Sequence, residues 1–156
     1  PAISKDTDFA IIRVQITNDP GTDRRFGGAL PEELNFLSLS EMAKSKSWKI
    51  SPSLEDIQSV METLGPEKTI LAIDFRQPYV LDEASGVLNA GGLFATFGVS
   101  DVALMDIIMG KFNPTGKLPY ALAKTSAAVI AQDPDAPGYP EKDTLFPFGF
   151  GLNYKK

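Results

Sequence analysis

Residues 51–73 read SPSLEDIQSVMETLGPEKTILAI, and the fold class turns on this stretch. Leu54, Ile57, Val60, Met61 and Leu64 recur at helical spacing and give one apolar face. Ser51 can cap the orphan N–H groups at the start, and Pro52 fits the first turn, where no donor is required. Glu55 and Asp56 then sit near the positive end of the helix dipole. Gly65-Pro66 closes the helix, because glycine takes the left-handed cap and proline cannot continue. Residues 68–73 follow as a short apolar run and predict a buried strand.

On the N-terminal side, residues 10–16 are β-branched and apolar at first, then alternate, which predicts another strand. On the C-terminal side, residues 92–98 predict a further strand. Ser100 caps the next helix, with Asp101 in its first turn. Residues 102–109 are apolar almost all round, so the pattern predicts a buried helix ending at Gly110. Strands and helices therefore alternate. That order predicts an α/β three-layer sandwich with a mainly parallel sheet flanked by helices. After Lys111 the regular pattern fades into turn-rich segments at 113–116, 133–138 and 146–151. The aromatic content there, with Phe146, Phe148 and Phe150 alternating, predicts an ordered, extended C-terminal tail packed over the body rather than a binding surface. Trp48, the lone tryptophan, lies between Lys46 and Lys49. It reads as a packing residue at the helix entry, with a sugar-stacking platform as the alternative.

The chain has 156 residues, 43% of them hydrophobic and 22% charged, as in an ordinary globular domain. It contains no cysteine and no histidine. Disulfides, thiolate nucleophiles, Ser-His-Asp catalysis and His-ligated zinc are therefore excluded within it. Acid–base chemistry must use carboxylates, lysine or tyrosine. No metal and no cofactor are expected. The formal net charge is −5 and no Lys/Arg run stands out, which argues against nucleic acid. No apolar run approaches the roughly 18 residues of a membrane span. The composition does not fix a compartment.

Between the first strand and the helix, residues 17–31 form a loop dense in turn formers, including Asn18-Asp19-Pro20-Gly21-Thr22-Asp23 and Gly27-Gly28. A loop that long directly after a strand is often functional. Asp19 and Asp23 offer carboxyl groups for proton transfer, or serve only as turn residues bonded to their own backbone. Arg24 and Arg25 can hydrogen-bond sugar hydroxyls or grip a carboxylate, or form a surface pair. Glu32 and Glu33 look more like the first turn of a short helix.

Three segments together carry a resemblance. They are residues 93–101, reading LFATFGVSD and continuing with Ala103, Leu104 and Asp106; residues 110–119, GKFNPTGKLP; and residues 145–154, LFPFGFGLNY. In this order and spacing the chain resembles the C-terminal α/β-sandwich domain of glycoside hydrolase family 3, which contains β-glucosidases and β-xylosidases. The resemblance implies a single domain over 1–156, truncated at its N-terminal side, with the barrel domain and its nucleophilic aspartate absent from the chain. It also implies a retaining, exo-acting β-glycosidase acting on a β-glucoside or short β-linked gluco-oligosaccharide, to which this domain lends part of the substrate site. An apolar contact surface left uncovered by the barrel implies a homo-oligomer of the isolated chain. In many family members the acid/base is the glutamate of a Glu-Gly-x-Asp-Arg motif. Here Gly21, Asp23 and Arg24 match, but Pro20 stands at the glutamate position. Asp19 or Asp23 is then the acid/base candidate. The alternative is a non-catalytic carbohydrate-binding or scaffold domain. A stand-alone flavodoxin-like domain is a third reading, opposed by the lack of a glycine-rich phosphate turn.

Overall fold

The computed structural model describes Ser4 and residues 6–18 and 37–154. Its centre is a four-stranded sheet in the order β2-β1-β3-β4. Strands β1 (Ala10–Asn18), β3 (Thr69–Asp74) and β4 (Gly92–Thr96) run parallel, with Val14 beside Ile73 and Leu71 beside Leu93. Strand β2 (Trp48–Ser51) pairs antiparallel to the end of β1, from Gln15↔Ser51 to Asn18↔Trp48. The α/β expectation with a mainly parallel sheet therefore holds. Helix α2 (Leu54–Leu64) is the crossover from this edge to β3, and its Leu54, Ile57, Met61 and Leu64 are buried. They meet Val14 and Ile16 of β1, Leu71 and Ile73 of β3, and Leu39 and Met42 of helix α1 (Leu39–Lys44) in one core. Each such side chain contributes about 1.5–3 kcal/mol by leaving water. β3 and β4 are joined through two 3₁₀ turns, Glu83–Ser85 and Val87–Asn89.

Local chemistry shifts several boundaries. Ser53, not Ser51, caps α2: its Oγ accepts from the Asp56 N–H at 3.1 Å. Ser51 instead ends β2. That strand has only four residues and two of them are polar. Its pairing comes from β1, thirty or more residues away, so no local pattern announces it. Trp48 consequently belongs to β2 rather than to a helix entry. It is half-buried and meets Tyr79 edge-on with ring centroids 6.5 Å apart. Gly65 closes α2 with φ 106° and ψ 136°, outside the left-handed helical region, and leads into a 3₁₀ turn at Pro66–Lys68.

Helix α3 (Asp101–Ile108) corrects a second expectation. It is not a buried helix: only Leu104 is buried, at 3% exposure, while Val102 is 72% exposed and Met109 61%. An all-round apolar pattern says that a helix can be buried on every face, not that a layer exists to cover it. Among the described residues none covers the Val102–Met109 side.

The C-terminal region carries more regular structure than its pattern suggests. Strands β5 (Leu122–Ala123) and β6 (Thr144–Phe146) pair antiparallel, and helix α4 (Ser126–Ala131) is capped by Thr125. Leu118 and Leu122 join the core. Phe146 and Phe150 pack on it with rings 4.8 Å apart, whereas Phe148 is 76% exposed. No helix among the described residues is long and apolar enough to cross a membrane.

Candidate functional site

In open α/β sheets, ligands bind outside the carboxyl ends of the parallel strands. Here that edge is formed by Asn18 of β1, Asp74 of β3 and Thr96 of β4. The loop proposed above leaves from this edge. Its candidates Asp19, Asp23, Arg24 and Arg25, together with Glu32 and Glu33, lie outside the described residues.

The described part of the edge is ordered by two charged side chains. The Asp74 Oδ1 accepts from the Gly98 N–H at 3.1 Å and from the Thr96 Oγ1 hydroxyl at 3.5 Å. Arg13, on β1, donates to the Val99 carbonyl at 2.8 Å and forms an ion pair with Asp101. The Phe75 N–H donates to the Thr96 carbonyl at 2.8 Å. Residues 97–101 are thereby held by side chains of both β3 and β1.

An aromatic chain runs along the same edge. Trp48 meets Tyr79, Tyr79 meets Phe75 at 5.4 Å, Phe75 meets Phe97 at 6.3 Å, and Phe97 meets Tyr120 at 6.3 Å. The Tyr79 hydroxyl donates to the Ile16 carbonyl at 3.4 Å. Burial raises its pKa against the opposing pull of Arg76, and burial with the neighbouring Tyr79 raises that of Tyr120. Both phenols stay neutral near pH 7 and are poor proton donors. Among the described residues the buried Trp48 indole N–H and Tyr120 hydroxyl have no hydrogen-bond partner. Buried groups of this kind are costly and uncommon, and they mark the edge as polar beneath its aromatic surface.

Two other features do not compete with this edge. Asp82 and Glu41 lie near one another, but both are occupied at the start of α1. Glu41 accepts from the Ser38 N–H at 2.7 Å, and Asp82 accepts from the N–H of Ser40 at 3.0 Å and from its hydroxyl. Burial would raise the Asp82 pKa, yet the hydrogen bonds from Ser40 outweigh it and hold the carboxyl below its ordinary value. A general acid needs the opposite shift. An open depression of ≈ 680 Å³ lies between β1 and α2, and among the described residues its charged lining is Arg13 and Asp56. Asp56 accepts from the Ser53 hydroxyl, and Arg13 is held by Asp101. Among the described residues no group of three or more Asp or Glu is placed to hold a metal ion.

Sequence reasoning missed Asp74, Tyr79, Phe97 and Tyr120 as residues of one edge. The signal for Asp74 was its place directly after the apolar run 69–73, and for Phe97 its place just before Gly98 at a strand end.

The chain is 34% identical over 97 residues to a periplasmic beta-glucosidase/beta-xylosidase of Dickeya chrysanthemi, covering 62% of this chain and 14% of that protein. It is 28% identical over 150 residues to a probable beta-glucosidase C of Aspergillus flavus, covering 96% and 21%. With beta-glucosidase C of Emericella nidulans it shares 26% identity over 152 residues, covering 97% and 22%. The chain thus spans about a fifth or less of the length of these relatives. The description "Glycosyl hydrolase family 3 C-terminal domain" matches residues 2–154. With nearly every residue inside that match, the chain belongs to glycosyl hydrolase family 3 and represents its C-terminal domain.

Proposed function

We propose that this domain completes the substrate site of a retaining, exo-acting β-glycosidase whose catalytic barrel lies elsewhere in the same protein. The observation that carries this reading is the family match over residues 2–154, together with relatives named as beta-glucosidases. Retaining hydrolysis needs two carboxyl groups about 5–5.5 Å apart, one attacking the anomeric carbon and one protonating the departing oxygen. In this reading the barrel supplies the nucleophile. The proton donor is Asp19 or Asp23, in the loop that follows Asn18 at the carboxyl edge. Arg24 and Arg25 bind hydroxyls of a β-glucoside or β-linked gluco-oligosaccharide. The 156-residue chain alone is inactive, because it holds one carboxyl of the pair.

The Pro20 departure from the Glu-Gly-x-Asp-Arg pattern favours a second reading, in which the domain binds carbohydrate or acts as a scaffold without proton transfer. Asp19→Asn and Asp23→Asn in the full-length protein separate the two. Loss of general acid–base work lowers kcat roughly 10²–10⁴-fold in one variant. Activity within a few-fold of wild type in both variants supports the non-catalytic role.

A further inference from the structure

We draw no further inference here: the strongest candidate, the exposed apolar stripe of Val102, Met105 and Met109 along α3, is an unpartnered helix face, and nothing in the structure shows what covers it.

Discussion

Gly91 directly precedes β4 and sets where that strand starts. A Cβ added there would lie 2.1 Å from the Glu67 carbonyl oxygen and 2.7 Å from its carbon. Both atoms are backbone, so no side-chain rotation relieves the clash. The Gly91 N–H donates to the Pro66 carbonyl at 2.8 Å, in the same 3₁₀ turn, and the separation an alanine requires works against that bond. Loss of the bond costs about 0.5–1.5 kcal/mol. Overpacking against a rigid neighbour costs about 1–3 kcal/mol. The smaller conformational freedom of alanine in the unfolded chain returns about 0.4–1 kcal/mol. Gly91→Ala is therefore expected to destabilise by about 2–3 kcal/mol, lowering Tm by roughly 5–10 °C at this chain length. Urea unfolding of the 156-residue chain, followed by fluorescence of its single tryptophan, Trp48, measures the change. Gly116→Ala is the control: nothing lies within 4 Å of its Cβ position, and it should be neutral or slightly stabilising. A Gly91→Ala chain within about 0.5 kcal/mol of wild type would refute this account of the β3–β4 connection.

Three further outcomes are expected. Ser38→Ala removes one half of the capping box at α1, where the Ser38 Oγ accepts from the Glu41 N–H, and should cost about 1 kcal/mol in the same urea assay. Asp82 has a pKa held below its unfolded value. The folded state thus binds its proton less readily, and the stability it contributes is present above the unfolded pKa. That contribution is lost as pH falls below about pH 4, towards the folded value. The urea midpoint of Asp82→Asn should accordingly fall less steeply than wild type on acidification, and parallel curves would count against the assignment. Val102 and Met109 expose an apolar side of α3, so the isolated chain should self-associate in sedimentation at high concentration. Val102→Glu with Met109→Glu should weaken that association. A wild-type chain that sediments as a clean monomer speaks against it.

The fold was legible where periodicity and punctuation agreed. The α2 face closed by Gly65-Pro66, followed by the apolar run at 69–73, defined the parallel unit, and the strand at β4 followed from the same alternation. The exposed side of α3 was not legible, because an apolar residue looks the same whether or not a covering layer exists. Strand β2 was hidden because its partner is distant in sequence and half its residues are polar. The site was less legible than the fold. Asp74 and Gly98 lie more than twenty residues apart and meet only because β3 and β4 end together. Arg13, the one charged residue of β1, gave no local sign that it would hold the loop after β4. The proton-donor candidates Asp19 and Asp23 came from motif spacing rather than from geometry.

The central claim is that this domain works within a retaining β-glycosidase. The most direct measurement is ¹H NMR of the full-length protein acting on p-nitrophenyl β-D-glucoside, following the anomeric signal of the first sugar released. The account predicts hydrolysis with the β-anomer appearing first and the α-anomer growing in later by mutarotation. Release of the α-anomer first, or no hydrolysis by the intact protein, would contradict it.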